Sequence, residues 1–516
     1  MSSRPLLLVA CCAVGVVVPA ALGDSYTGRL SAHEGLHLVH VDDAPVREPG
    51  QRRPRQTVVV VIDGLGHLEA QTMRSTQLLA ARGQCRRTDV GPLSLSRPVY
   101  AAISTGLEPD RSGVRFNDDP APLAARSFWE LARAAGLRVS ASSELTWWTE
   151  MFPRGFDEVA LIDPEEDPFR RSPPADLRLV HPLDVDHAGH ESGAGSPAYR
   201  AAVDRVDRQL AEFLARDVDL AQDLVVVTAD HGHSLHGGHG GRQDRIARVL
   251  TCYAGLGVRH GTADAALATT AIGPSIALLL GLPFPAEMRA GDDGLDALWD
   301  IADPAVLPAA WLDDRRRAVA RFREANAAAV ATWLPASEGS WDRFYAWHRA
   351  HQQRVALLFA GLLGVTLALQ ARAHRGGARR FGPAFVAGFC GLAWALQVGL
   401  RGSFDLSSVA NREDFLTFTS AIGVVATVAA IVAHWRLRRD LDALLLDLAA
   451  ISAIGTLLSL AHPAALGWQL GFPVPPPPAF FFPYWAALFL GAFNGVGLVF
   501  GLVALATRRT ATRRTA

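Results

Sequence analysis

The chain contains no lysine: all 50 of its basic residues are arginine. That removes two chemistries at once. A P-loop needs a lysine on its phosphates, and a Schiff-base enzyme needs a lysine amine. A charge imbalance is also missing. With 50 basic and 51 acidic residues the net charge is -1, which leaves no electrostatic footprint for nucleic acid. Cysteine is scarce, at five residues. Cys11, Cys12 and Cys390 lie in apolar segments, while Cys85 and Cys252 lie in the polar part and can pair only if that part is exported. No internal repeat is evident, which disfavours a transporter.

What is present is length and apolar content. The chain has 516 residues, 49% of them hydrophobic, enough for two or three domains. Residues 1–23 read as a signal peptide or an uncleaved signal anchor, with Arg4 ahead of the apolar run Pro5–Leu22. Residues 24–56 form a polar lead-in. Residues 57–303 alternate strand and helix patterns, which argues a doubly wound α/β sheet sandwiched by helices. Residues 304–354 form a charged helical connector.

Residues 355–516 differ in kind. Val355–Ala371, Phe381–Leu400, Phe415–Ala433, Leu441–Ala461 and Tyr484–Ala506 are apolar runs near the length of about 20 residues that spans a bilayer. About five spans make this an α-helical transmembrane domain. Asp447 in the fourth run should face a helix partner or a cavity. Arginines cluster after the first, third and fifth runs, including Arg379, Arg438 and Arg513. The positive-inside rule then puts the C-terminus in the cytoplasm and the 57–354 region outside.

Within the α/β region, polar groups gather where strand patterns end. Thr57–Ile62 delivers Asp63, and a strand over Asp176–Val185, broken by Pro182, delivers Asp186 and His190. Leu224–Thr228 delivers Asp230, His231 and, across a glycine-rich turn, His239. Open α/β sheets bind ligands at the carboxyl ends of their strands. Ser96 begins a helical pattern, where free N–H groups favour an anion; Ser94 or Ser96 equally fits a plain N-cap. The Trp147–Trp148 pair fits either a pocket wall or the core. Three carboxylates, three imidazoles and a hydroxyl suffice for two zinc-like ions. Two such ions close together stabilise both the attacking and the leaving oxygen of a phosphoryl displacement.

Four ordered segments, VVVVIDGLG, SRPVYAAISTGLEPDRSGVRFN, DVDHAGHESG and TADHGHSLHGGHGG, resemble the motifs of the alkaline phosphatase superfamily. The nearest branches are the type I phosphodiesterase/nucleotide pyrophosphatases and the glycosylphosphatidylinositol (GPI) ethanolamine-phosphate transferases. The resemblance covers roughly residues 57–290. It implies an alkaline phosphatase-like fold and a site with two divalent metal ions. Asp63, Ser96, Asp230 and His231 match one ion's ligands, and Asp186, His190 and His239 match the other's. Ser96 matches the nucleophile, and Asn117 the asparagine that contacts a phosphate oxygen.

The match has departures. Serine replaces the usual threonine at Ser96, His233 stands where the family often has Met, and Gly238 where the transferases often have Asp. His187, His233 and His236 are expected behind the ligands or at the surface, with metal binding by His236 as the alternative. Ser94-Leu95-Ser96-Arg97 lacks the sulfatase proline.

The resemblance implies a membrane-bound enzyme that cleaves a phosphodiester or phospholipid through a phospho-Ser96 intermediate. Transfer of phosphoethanolamine to a glycan or lipid is the first expectation. A hydrolase with water as acceptor is the alternative, and a non-catalytic membrane scaffold the third. His/Asp ligation favours zinc, and manganese binds similar ligands.

Overall fold

Thr57–Val61 is a run of five β-branched residues, and such residues favour the extended pleated backbone. All five are buried, so a layer covers each face of this strand. In the computed structural model it is β1, at the interior of an eight-stranded sheet of order β4-β3-β5-β1-β6-β7-β2-β8. The others are β2 (Gly83–Asp89), β3 (Val139–Ser143), β4 (Glu158–Leu161), β5 (Leu177–His181), β6 (Leu224–Thr228), β7 (Arg248–Gly255) and β8 (Leu267–Ala268).

The structure describes residues 4–31, 53–282 apart from 92, 118–121, 242 and 262–265, then 300–305, scattered positions between 310 and 325, and 381–514 apart from 402–411 and 467–476. The expected span Val355–Ala371 and most of the expected connector lie outside these residues. Two compact units emerge, one α/β (residues 33–344 with 406–410) and one helical (1–32, 345–405 and 411–516).

The sheet of the α/β unit is mixed. β4, β3, β5, β1 and β6 run parallel, and β7 runs against both β6 and β2. Cys85 on β2 lies directly opposite Cys252 on β7, and the two form a disulfide. Register explains the placement of the acidic groups. Val61 on β1 pairs with Thr228 on β6, so Asp63 and Asp230, each two residues further on, leave the sheet side by side. On the other flank Val60 pairs with Val180, which brings His181 to the same edge.

One sequence expectation is corrected here. The strand expected over Asp176–Val185 ends at His181, and Asp184–Ser192 is a helix. Pro182 ends the ladder because it has no N–H to donate. The correction has a chemical consequence: Asp186 and His190 are four residues apart on one helix, and so share a face.

In the helical unit, some polar side chains lie inside and some large apolar ones outside, around an apolar core that includes Phe389, Ile422, Leu444 and Phe493. Gln397, Thr419, Thr427, Ser452 and Asn494 are buried, while Trp394, Val425, Val499 and Val503 are exposed. Lipid as solvent favours that inversion. Among the described residues, two stretches, Glu413–Arg436 and Leu488–Thr507, are long and apolar enough to cross a membrane. Phe381–Arg401 and Leu441–Leu466 are also helices. Asp447 meets His434 at 2.9 Å, the helix partner its cost in an apolar setting requires. The N-terminal helix Arg4–Ser31 belongs to this unit, with Leu8 and Cys12 buried in it.

Candidate metal centre

Asp63 and Asp230 use their oxygens alike. Asp63 Oδ2 accepts from the Tyr100 hydroxyl and lies 3.2 Å from His181 Nε2. Asp230 Oδ1 accepts from the backbone N–H of Gly64 (3.1 Å) and of His231 (2.9 Å). The remaining oxygens, Asp63 Oδ1 and Asp230 Oδ2, are buried with no hydrogen-bond donor. A buried carboxylate oxygen left bare is costly unless a cation meets it.

The imidazoles are oriented with the same result. His231 Nδ1 faces the Gly232 carbonyl at 3.2 Å, and His239 Nδ1 faces the Ser94 carbonyl at 2.9 Å. A carbonyl only accepts, so Nδ1 carries the proton and Nε2 presents a lone pair. This is how a histidine ligand is held ready for a metal.

Three such groups converge among the described residues. Asp63, Asp230 and His231 place ligand atoms together, as do Asp186, His190 and His239, and Asp186 also meets His231 and His233. His231 Nε2 is 3.2 Å from Asp230 Oδ2, 3.6 Å from Asp63 Oδ1 and 3.3 Å from Ser96 Oγ. In the second set His190 Nε2 is 3.5 Å from Asp186 Oδ1 and 3.2 Å from His239 Nε2. Bonds of about 2.0–2.1 Å to one zinc-like ion put neighbouring ligand atoms about 2.9–3.4 Å apart. These spacings make the residues candidate ligands for divalent metal ions.

Electrostatics agree. Burial, then the charge of Asp63, raises Asp186 to about 6, and burial with Asp63 and Asp186 lifts Asp230 well above the usual carboxylate range. Burial lowers His231 to about 4 and pushes His239 well below the ordinary imidazole value. Asp63 alone stays low: burial opposes it, but the His181 bond, the neighbouring imidazoles and Tyr100 outweigh burial. Crowded carboxylates beside neutral imidazoles are a cation site by composition.

Ser96 is the first residue of the Ser96–Thr105 helix and makes no capping bond. Ser94 is not a cap either. Its hydroxyl donates to Gly241 O (2.7 Å) and accepts from Gly240 N–H (2.9 Å), which clamps the turn that carries His239. Asn117 Oδ1 accepts from Arg97 N–H at 3.1 Å, so its amide nitrogen is turned the other way. The Arg97 guanidinium lies 4.6 Å from the Trp147 ring centroid and pairs with Glu150. Trp147 is thus half-buried beside the residue after Ser96, while Trp148 is buried and stacks on Tyr100.

The three uncertain histidines separate. His236 is exposed and His187 is half-exposed beside Glu144, 3.6 Å away. Neither is in a candidate metal group among the described residues. His233, by contrast, is fully buried with Nε2 2.8 Å from Asp186 Oδ1. Tyr100, His181, Ser143 and Trp148, which surround Asp63 from behind, were not singled out by the sequence for this role. Only their nearness to strand ends and to Ser96 could have suggested it.

Parts of the chain are similar to known proteins. Residues 142–239 match the family model of type I phosphodiesterase / nucleotide pyrophosphatase. The catalytic subunit of human GPI ethanolamine phosphate transferase 3 is 27% identical over 221 residues, covering 39% of this chain and 20% of that protein. The human transferase 2 catalytic subunit is 25% identical over 265 residues, 45% of this chain and 27% of its own length. The matched region is thus well under a third of each of these relatives. Among solved structures, murine ectonucleotide pyrophosphatase / phosphodiesterase 5 aligns with TM-score 0.37 at 13% identity, over 44% of this chain and 96% of that one. A 2-O GAG sulfatase aligns with TM-score 0.38 at 16% identity, over 46% of this chain and 72% of that one. The resemblance read from the four motifs, to the alkaline phosphatase superfamily through its type I phosphodiesterase and GPI ethanolamine-phosphate transferase branches, therefore holds.

Proposed function

We propose that the chain is a membrane enzyme that moves a phosphoethanolamine group from a phospholipid to a glycan or lipid acceptor through phospho-Ser96. The observation that carries this reading is the convergence of Ser96 Oγ with two carboxylate–imidazole sets at one sheet edge. Sequence similarity to GPI ethanolamine phosphate transferases supports the choice of transferred group.

The steps balance as follows. Ser96 Oγ bonds to phosphorus, the bond from phosphorus to the diacylglycerol oxygen breaks, and the diacylglycerol leaves with a proton. An acceptor hydroxyl then attacks phosphorus and returns Ser96 to its hydroxyl form. Asp63, Ser96, Asp230 and His231 would hold one divalent ion, and Asp186, His190 and His239 the other. Bound there, such ions supply Lewis-acid stabilisation of the entering and leaving oxygens. Among the chain's own groups, Asn117, held by the Arg97 N–H, would offer its amide nitrogen to the phosphate.

The membrane topology belongs to the same reading. The catalytic unit faces the extracytoplasmic side, and the C-terminus the cytoplasm. The Cys85–Cys252 disulfide supports this, because such bonds persist in oxidising compartments. The arginine-rich ends of alternate apolar runs support it independently.

The second reading is hydrolysis with water as acceptor, favoured by the match to the phosphodiesterase family model. Labelled phosphatidylethanolamine supplied to membranes carrying the chain separates the two. Label on a glycan, lipid or protein that disappears with Ser96→Ala supports transfer. Label found only as free phosphoethanolamine supports the hydrolase. No Ser96-dependent release of either kind overturns both.

A further inference from the structure

The loop after β3 borders the metal centre. Ser143, the last residue of β3, sets its hydroxyl 2.8 Å from His181 Nδ1, and His181 faces Asp63. The next residue, Glu144, lies 3.6 Å from His187, the chain neighbour of Asp186. Three residues further on, the Trp147 ring carries the guanidinium of Arg97, the chain neighbour of Ser96. The segment from Glu144 to Trp147 thus runs from the helix of Asp186 to the helix of Ser96. β3, β5 and β1 are adjacent strands, so Glu144 and Asp63 leave the same sheet edge about 10 Å apart.

Two carboxylates near Glu144 are satisfied. Asp184 accepts from Arg205, and Glu150 accepts from Thr146 and Arg97. Glu144 differs from both. Its side chain is only 10% exposed, and among the described residues its closest charged partner is His187 Nε2, 3.6 Å away and beyond hydrogen-bond reach. Burial raises the Glu144 carboxyl above its ordinary value, and the opposing pull of His187 and His181 does not bring it back. Asp184 and Asp63 add to the rise. A carboxylate held this way, beside a site for a charged substrate, is short of one cation.

We propose that Glu144 receives the ammonium of the substrate's head group while the phosphate lies at Ser96, so that the site selects phosphodiesters carrying a primary ammonium. The inference rests on the phosphoryl-transfer reading and names the residue that recognises the head group. A primary ammonium brings one charge and three N–H donors, and a carboxylate answers both. A quaternary head group has no N–H and is held by aromatic faces instead. Trp147, the half-buried ring on this loop, already carries Arg97. The selection is therefore for ethanolamine over choline. His187 is half-exposed, which leaves its ring room to turn outward as the ammonium enters. Glu144 binds the head group and takes no part in the bond changes at phosphorus.

The test uses the full chain in detergent and the p-nitrophenyl diesters of phosphoethanolamine, phosphocholine and ethyl phosphate. The readout is kcat/KM for the ethanolamine diester divided by that for the ethyl diester. The wild type should prefer the ethanolamine diester to both others. Glu144→Gln keeps the shape of the side chain without its charge, and should lower the ratio about tenfold or more. His187→Ala should not reproduce that fall, and a thermal melt checks that both variants are folded. A wild type without the preference, or an unchanged ratio in Glu144→Gln, overturns the inference and leaves phosphoryl transfer standing. An equal fall in His187→Ala also overturns it, and assigns Glu144 to holding His187. Cleavage of the diesters that persists undiminished in Ser96→Ala overturns the reading beneath it, and the inference with it.

Discussion

His181 and His233 flank the carboxylate cluster with opposite ring tautomers. The indole N–H of Trp148 lies 3.2 Å from His181 Nδ1 and can only donate, so Nδ1 accepts and Nε2 carries the proton. That proton faces Asp63 Oδ2 at 3.2 Å and the Tyr100 oxygen at 2.9 Å. His233 has the reverse arrangement, with a bare Nε2 toward Asp186. One imidazole thus donates to a carboxylate from behind, and the other offers a lone pair beside one.

The His181 arrangement predicts how Asp63 is held. His181 and Tyr100 occupy one oxygen of Asp63 and leave Oδ1 to face Asp230 and His231. Tyr100→Phe removes one of these donors without emptying the core. Loss of such outer partners costs metal sites about 10–100-fold in affinity. The expected outcome is a fall of that size for the Asp63 ion alone, measured by chelator competition. An equal loss at both ions would mean that Tyr100 supports the whole site instead.

Metal uptake should depend on pH through the carboxylates Asp186 and Asp230. In the protein without ions Asp186 is raised to about 6 and Asp230 well above the usual carboxylate range, so an ion competes with protons for these groups as pH falls. His231 and His233, lowered to about 4, are already neutral at higher pH. Apparent affinity should therefore rise as pH climbs through about 6, with proton release. Calorimetry in two buffers of different ionisation enthalpy counts those protons. An affinity flat from about pH 5 to 7 would contradict this assignment.

These contacts also mark what the sequence could disclose. Asp63, Asp186, Asp230 and their histidines were legible because each follows a strand or opens a helix beside glycine, a local pattern. The pairing of Asp63 with Asp230 follows from the β1–β6 register, and that of Cys85 with Cys252 from the β2–β7 register. Neither register is written in any single segment. His181 looked like the last residue of a hydrophobic strand because its partners, Tyr100, Ser143 and Trp148, arrive from three other segments. His233 was expected behind the ligands or at the surface, and its local segment does not decide between them. Its turn is polar and glycine-rich, so it reads as surface, yet the ring is buried against Gly64 and Gly189.

At the opposite, amino-terminal end of the central strands, stability is the issue. Asp223 is buried and accepts from Arg55 Nε (2.9 Å) and Nη2 (2.6 Å), Gln56 Nε2 (3.1 Å) and Asp219 N–H (2.8 Å). It ties the entry of β1 to the entry of β6. Burial raises its pKa, but these donors outweigh burial and hold the carboxyl below its ordinary value. A depressed carboxylate contributes stability above its unfolded pKa of about 3.9 and loses it as pH falls through the folded value. Asp223→Asn should cost about 2 kcal/mol near neutral pH, and the deficit should shrink below about pH 4. Denaturant titrations at two pH values check both statements.

The disulfide joins strands whose cysteines are 167 residues apart in the chain. Closing so long a loop restricts the unfolded state, and losing a native disulfide costs about 2–5 kcal/mol. The double variant Cys85→Ser, Cys252→Ser should melt lower than wild type under oxidising conditions, with the gap closing when reductant is added to both. A gap that survives reductant would assign the loss to serine packing between β2 and β7.

The helical unit bears on whether the N-terminal segment is a cleaved signal or a retained anchor. Leu8 and Cys12 have no exposed surface in that unit. A Cβ on Gly497 would lie 2.8 Å from Cys12 Sγ, and one on Gly501 2.9 Å from Val9, so these glycines leave the space the N-terminal helix fills. Close helix approach at small residues is the usual way membrane helices associate. Arg4 also pairs with Asp442 at 3.0 Å, beside the turn that carries Arg438 and Arg439. Cleavage after Gly23 would empty this groove and remove the Arg4–Asp442 ion pair. The expected outcome is a mature chain that keeps Arg4, read by intact mass or N-terminal sequencing. Gly501→Leu should then lower the detergent melting temperature by displacing the helix. A mature N-terminus at Asp24, with Gly501→Leu as stable as wild type, would assign residues 1–23 to a removed signal peptide.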